Sequence, residues 1–245
     1  MKFILSILCC ITFVVAASNT QDDIADSFDS EYTQQVKQDF DPLSGYNKIM
    51  TNINDKFYTH ILFPVAKGYK KIIPKPARKS VSNFFHNLFF PVRFVNNLLQ
   101  FKFKNSFEEL ERFVINSTIG IAGLFDVAGD KMKIYPHNED LGQTLGYYGI
   151  GGGFYIVLPI LGPSNLRDTV GLIGDMFIDP KIYVDDRGYN LVDDDAQSFG
   201  VSSFNVINRA SFDYKKYEAI KKGNVVLYPV LKDLYEKHRN KMIKE

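Results

Sequence analysis

The 245-residue chain has no tryptophan, only four histidines and only two cysteines, and those two, Cys9 and Cys10, are adjacent in an apolar N-terminal stretch. A chain that loses this stretch has no thiol and no disulfide. The histidines, His60, His86, His137 and His238, lie far apart and in no HExxH or related spacing, so a zinc site would need distant histidine and carboxylate groups. A GxSxG elbow is missing. So is the closing Gly-Lys-Ser/Thr of a phosphate loop, and no GxGxxG fits between Gly146 and Gly153. The acidic stretch with Asp185, Asp186, Asp193, Asp194 and Asp195 does not have the spacing of an EF-hand loop and reads as a solvated loop. Beyond the N-terminus, no apolar run reaches the roughly 20 residues a membrane-spanning helix needs. These absences argue against an enzyme and against a resident metal or cofactor.

What is present begins at the N-terminus. Lys2, the run FILSILCCITFVVAA and the small residues Ala16 and Ala17 read as a signal peptide over residues 1–17, retention as an anchor being the alternative. Neither cysteine sits in a well-formed lipobox: Leu8 precedes Cys9, and Cys9 precedes Cys10. Residues 18–40 form an acidic leader whose Asp22, Asp23, Asp26, Asp29, Glu31 and Asp39 face only Lys37, a composition that favours disorder. Residues 41–245 are long enough for one helical domain.

From Asn47 to Ser106 the charge reverses, with Asp55 the single acid, and aromatics are threaded among the lysines. In an exported protein that mixture favours an anionic lipid surface over nucleic acid. The segment VSNFFHNLFFPVRFVNNLLQFKF has helical spacing but is apolar over much of its circumference, so it is either deeply buried or faces lipid. Phe84, Phe85, Phe89, Phe90 and Phe94 are the membrane-facing candidates. Lys70, Lys71, Lys75, Arg78 and Lys79 are candidates for contact with lipid phosphate, with a solvated face as the alternative.

Elsewhere the pattern is helical throughout. Pro76 suits a first helical turn, and Pro91 kinks or divides the helix after it. Ser106 and Glu109 have capping-box spacing and would open a helix with Leu110, Phe113, Val114 and Ser117 on one face. Ser164 or Asn165 would cap a helix over SNLRDTVGLIGDMF, in which Arg167 and Asp168 pair. FYIVLPIL is the best strand candidate, and Pro159 argues against a central strand.

Six glycines crowd between Gly142 and Gly153, and an apolar run comes next. Glycine permits close backbone approach, positive φ and empty space where a side chain would stand. Tight turns in an ordinary core would use it equally well. The other reading is a narrow apolar passage bordered by bare main chain, lined by Tyr147, Tyr148, Gly149, Gly151, Gly152, Gly153, Tyr155, Leu158, Pro159 and Leu161.

Four ordered blocks resemble the MlaA (VacJ) family of outer-membrane proteins. They are DPLSGYNKIM, IPKPARKSVSNFFHNL, RFVINSTIGIAGLFDVAG and LGQTLGYYGIGGGFYIVLPILGPSNLRD. The resemblance implies an all-α, ring-like single domain with a central amphipathic channel, seated in the inner leaflet of a bacterial outer membrane. It implies removal of mislocalised glycerophospholipids from the outer leaflet and their transfer to a periplasmic carrier of the MlaC type. A trimeric porin is the implied partner; no enzyme activity, cofactor, metal or nucleic acid is implied. Members are typically lipoproteins, and here the sequence departs from them. A porin-associated periplasmic scaffold without transport is the second reading, and an exported phospholipase the third.

Overall fold

A computed structural model describes residues 41–178 and 195–245, side chains of 195–198 excepted; the signal peptide, the acidic leader and the acidic loop from Asp185 to Asp194 lie outside the described residues. Residues 42–245 form one compact unit.

Helix α1 (Ser44–Phe57) continues through a wide turn, Tyr58–Leu62, into α2 (Phe63–Ile72). Pro64 explains the widening. It lacks an N–H and its ring presses on the carbonyl one turn back, so the helix opens there, and Phe63 N–H bonds the Tyr58 carbonyl five residues earlier. Helix α3 (Lys75–Leu88) carries Pro76 in its first turn, and α4 (Phe90–Leu99) carries Pro91 in its own, so the chain is divided where the prolines place it. Helix α5 (Phe103–Thr118) starts a turn earlier than the capping box suggests. Ser106 lies inside it, its hydroxyl donating to the Phe94 carbonyl (3.1 Å) rather than capping.

Two short helices come next, α6 (Val127–Met132) and α7 (Leu141–Tyr147), capped by Asp126 and Asp140. Strands β1 (Tyr155–Leu158) and β2 (Gly162–Asn165) pair as an antiparallel hairpin with Leu158 opposite Gly162, and Pro159 stands in the turn just past β1. Asn165, as expected, caps α8 (Leu166–Met176) by accepting from Asp168 N–H (2.7 Å). Helices α9 (Asp195–Gly223) and α10 (Leu227–Lys244) complete the described chain. The main packings join α7 to α8, α4 to α5, α9 to α2, and α10 to α7.

The polarity of α1, α4 and α5 is inverted. α1 buries Asn47, Thr51 and Asn54 while exposing Tyr46, Ile49 and Ile53. α5 buries Ser106, Glu109, Arg112 and Asn116 while exposing Phe103, Phe107, Leu110 and Val114, each set at helical spacing. α4 buries Arg93, Asn96 and Asn97 and leaves Leu98 and Leu99 outside. The buried apolar residues among those described are few: Phe63, Ala66, Phe85, Ala128 and Tyr214, and a cluster of Tyr155, Val157 and Tyr228 with Met50 and Tyr235 against it.

The hairpin shows how polar groups hold this interior. Asn47 Nδ2 donates to the Tyr155 carbonyl (3.0 Å) and its Oδ1 accepts from Val157 N–H (2.8 Å). Asn54 repeats the pattern with the Leu158 carbonyl (2.9 Å) and Ile160 N–H (2.8 Å). Seven helical residues rise about 10.5 Å, and three strand residues advance about 10 Å, so Asn47 meets the free edge of β1 while Asn54 meets the start of the turn. Asn54→Ala strands one donor and one acceptor and should lower unfolding free energy by about 2 kcal/mol. The exposed neighbour Asn52→Ala should stay within about 0.5 kcal/mol in the same denaturant titration.

Candidate functional site

Helix α7 delivers the glycine segment. Its end is closed by Gly149 N–H to the Gly146 carbonyl (2.9 Å) and Ile150 N–H to the Leu145 carbonyl (3.0 Å), with Gly149 at φ +83°. The chain then runs to β1, held from behind. Arg167 N–H bonds the Gly152 carbonyl (3.1 Å), and the Arg167 guanidinium bonds the Ile150 carbonyl (3.2 Å). On that side a Cβ at Gly152 would come within 3.0 Å of Asn165 Nδ2, and one at Gly153 within 3.1 Å of Leu166 Cβ. The other side is open: a Cβ at Gly149 or Gly151 would meet nothing within 4 Å.

Around this opening Tyr147, Tyr148 and Ile150 are exposed, as are Pro159 and Leu161 at the hairpin turn, while Leu158 is half-buried. The rings of Tyr147 and Tyr148 meet edge to face at 5.3 Å, and the Tyr148 hydroxyl donates to the Leu99 carbonyl. Tyr155 departs from the expected lining. It is buried and packs against Tyr228 (5.9 Å) and Tyr235 (6.0 Å), because alternation along β1 turns its side chain toward the core with Val157.

A charged brace fixes the helices that carry the segment. Gly142 of α7 and Gly171 of α8 touch so closely that a Cβ on Gly171 would lie 2.4 Å from Gly142 N. Beside them Asp168 accepts from Arg167 Nε (2.9 Å), Arg239 Nε (2.8 Å) and the Tyr235 hydroxyl. Arg239 also donates through Nη1 to Asp140 (2.7 Å), so one side chain of α10 ties the cap of α7 to the first turn of α8. Burial pushes the Asp168 carboxyl up, but the bonds from Arg167, Arg239 and Tyr235 outweigh it and hold the group below the usual carboxylate range. Asp175 is pushed up to about 6, first by burial and then by the Asp140 charge, against the Leu141 N–H and Asn96 bonds that favour its ionised form.

A second network runs through α4 and α5. Glu109 accepts from Arg93 Nε (2.8 Å) and His137 N–H (2.6 Å), and Arg93 Nη1 reaches the His86 carbonyl (2.7 Å). Gln100 joins Glu139 (2.8 Å) and Thr144 (3.1 Å), and Thr144 donates to Asn96 (2.8 Å). Arg112 and Asn116 both hold Asp126, the α6 cap. Burial, reinforced by the Arg93 charge, lowers the His86 pKa to about 4, so the ring is neutral near pH 7. Sequence reasoning missed this network. Its signal was the recurrence of Arg, Asn and Gln at positions 93, 96, 97 and 100, and of Ser, Glu, Arg and Asn at 106, 109, 112 and 116.

The five aromatic candidates divide. Phe84 is exposed, and Phe89, Phe90 and Phe94 are half-buried, with Phe90 stacked on Phe113 at 4.5 Å. Phe85 is buried against Phe84 and Phe204, which removes it from any outer face. Of the cations, Lys71 and Lys75 are exposed. Lys70 lies over the Tyr214 ring at 5.2 Å, and Lys79 stands 3.6 Å from Asp130. Arg78 is a correction: it is buried, bonded to the Ile73 carbonyl (3.2 Å) and Ser211 Oγ (2.7 Å) and stacked on Phe212 (4.6 Å), so its charge is engaged inside the fold. Among the described residues no cluster of histidine and acidic side chains could hold a metal ion, and no helix is long and apolar enough to cross a membrane.

Comparison with known proteins meets this geometry. A model of the MlaA lipoprotein family matches residues 39–242. An uncharacterised protein of Rickettsia bellii is 34% identical over 190 residues, 77% of this chain and 74% of its own length. The intermembrane phospholipid transport system lipoprotein MlaA of Escherichia coli is 39% identical over 142 residues, 56% of each chain. A solved structure described as the structural basis for maintenance of bacterial outer membrane lipid asymmetry superposes with a TM-score of 0.71 at 28% identity, over 84% of this chain and all of that one.

Proposed function

The chain belongs to the MlaA lipoprotein family, and from that premise we propose that it transports phospholipid and maintains the lipid asymmetry of a bacterial outer membrane. In this reading the helical domain is a ring seated in the inner leaflet. Glycerophospholipids that stray into the outer leaflet pass through its centre and leave to a periplasmic carrier of the MlaC type. A trimeric porin holds the protein in place. Moving a lipid breaks no bond, so the work asked of the protein is solvation: acyl chains need an apolar surface and head groups a polar one.

The inverted helices are the observation that carries this reading. In water, an interior of Asn, Arg and Glu under a surface of Phe, Ile and Leu gives up the main driving force of folding. Against acyl chains the same distribution is favourable: the outer face is solvated by lipid, and the buried polar groups, nearly all of them paired inside the fold, need those internal partners. The glycine segment supports the passage, because its open side at Gly149 and Gly151 presents main chain with no side chain in front of it. The exposed Lys71 and Lys75 remain the candidates for phosphate contact.

Gly151 supplies the test. Its φ is not in the left-handed region and a Cβ there meets nothing within 4 Å, so Gly151→Phe should fold. It should also obstruct the passage. Cells carrying this variant at normal protein level should accumulate outer-leaflet phospholipid as cells lacking the gene do. Normal asymmetry with Gly151→Phe would remove the passage assignment and leave the scaffold reading.

A further inference from the structure

Among the described residues, five other than glycine have φ in the left-handed region: Phe101 (+57°), Ile121 (+52°), Ala122 (+53°), Lys133 (+61°) and Ile160 (+64°). A Cβ makes that conformation unfavourable, and branching at Cβ makes it worse, so glycine or asparagine is the usual occupant. Here three of the five are large apolar residues.

Each sits at the tip of a different connection. Phe101 follows α4 at the position where a helix-ending glycine belongs, with its own N–H on the Leu98 carbonyl (2.9 Å) and Lys102 N–H on the Asn97 carbonyl (3.0 Å). Ile121 begins a run of three successive left-handed residues that ends at Gly123, closed by Ala122 N–H to the Ser117 carbonyl (3.0 Å) and Gly123 N–H to the Asn116 carbonyl (2.7 Å). Ile160 is the centre of a three-residue turn closed by Leu161 N–H to the Pro159 carbonyl (2.7 Å), the strained form of the γ-turn. The three side chains point outward, with 65%, 61% and 55% of their residue surface exposed. Phe103, Ile119 and Leu161 stand exposed beside them.

Strain and exposed apolar area therefore coincide. In water neither is compensated, since a side chain that touches little adds little to the fold. Backbone strain of this kind is kept where function requires it. We propose that Phe101, Ile121 and Ile160 are wedges that enter the acyl layer of a phospholipid membrane, each held outward by a turn that glycine would form more readily. An extended medium suits them better than a pocket in a protein partner. Phe101 and Ile121 flank the opposite ends of α5, a helix about 24 Å long, and the outward row Phe103, Phe107, Leu110 and Val114 lies between them. Lys104 stands next to Phe103 and is largely exposed, with Glu108 3.7 Å away as a water-screened partner that an anionic head group can replace while the rings go deeper.

The inference rests on the membrane reading above, and the test separates the two. The full-length protein and its Phe101→Gly, Ile121→Gly and Ile160→Gly variants are floated with vesicles of phosphatidylethanolamine and phosphatidylglycerol and, separately, melted in detergent. Each glycine variant should bind vesicles about tenfold more weakly, while its unfolding midpoint rises by about 2 °C. Ile121→Ala keeps the Cβ and its strain but loses the wedge, so it should weaken binding without raising the midpoint. A parent protein that does not float overturns both readings. A parent that floats with variants that float equally well overturns the wedges alone, as does a glycine variant whose midpoint falls.

Discussion

Glu109→Ala should lower the unfolding free energy by about 3–5 kcal/mol, the range for removing one partner of a buried ion pair, in denaturant titration of detergent-solubilised protein. Glu109 has no exposed surface, and its side chain is the counter-charge of Arg93, whose side chain is 9% exposed. It also accepts the His137 N–H, which leads the chain between α6 and α7. Removing the carboxylate leaves a guanidinium buried without its anion and a backbone donor unpaired. Glu111→Ala on the same helix should change stability by about 0.5 kcal/mol or less. The paired variant Arg93→Met with Glu109→Leu should recover a large part of the loss, because two apolar side chains leave no charge stranded. A double variant no more stable than Glu109→Ala would show that the hydrogen bonds to His86 and His137, rather than the charge pair, dominate.

Arg239→Met should have the second largest effect, about 3 kcal/mol by the same measure. Its guanidinium serves two carboxylates on two helices, with side chains 12% exposed for Arg239, 7% for Asp168 and 35% for Asp140. The Asp140 arm is the weaker of the two because water screens it. Loss of the arginine also changes the dependence on acid. The folded-state pKa of Asp168 is lowered, so its contribution is complete above the ordinary aspartate range and is lost as pH falls through the folded value. Arg239→Met removes part of that lowering, and the acid limb of the stability curve should flatten. Hydrogen exchange should show α10 opening first, at the turn where Val225 is almost fully exposed. An α10 as protected as in the parent would count against the brace.

The helices were legible because proline and capping residues punctuate the chain. Pro76, Pro91 and Asn165 act where local chemistry places them. The direction of the faces was not legible. Periodicity reports that Phe103, Phe107, Leu110 and Val114 share one side of α5 and that Ser106, Glu109, Arg112 and Asn116 share the other. It does not report which side meets solvent, since that depends on the solvent. Phe85 and Arg78 were misplaced for the same reason: residue type suggests a face, and only neighbours from α9, Phe204 for one and Ser211 for the other, decide it. The hairpin was half legible. Its apolar run was visible, but its pairing depends on β2, whose Gly-Pro-Ser-Asn has none of the usual strand formers. Tyr155 shows the consequence, since the core side of a strand is set only once its pairing is known.

Asn47 and Asn54 of α1 have an effect beyond stability. Asn47 answers the outer rim of β1 and Asn54 the start of the turn, so side-chain amides act as a counterfeit third strand and that seam is shut to recruits. A visiting polypeptide cannot extend the sheet there, nor can a second copy of the chain stitch itself on.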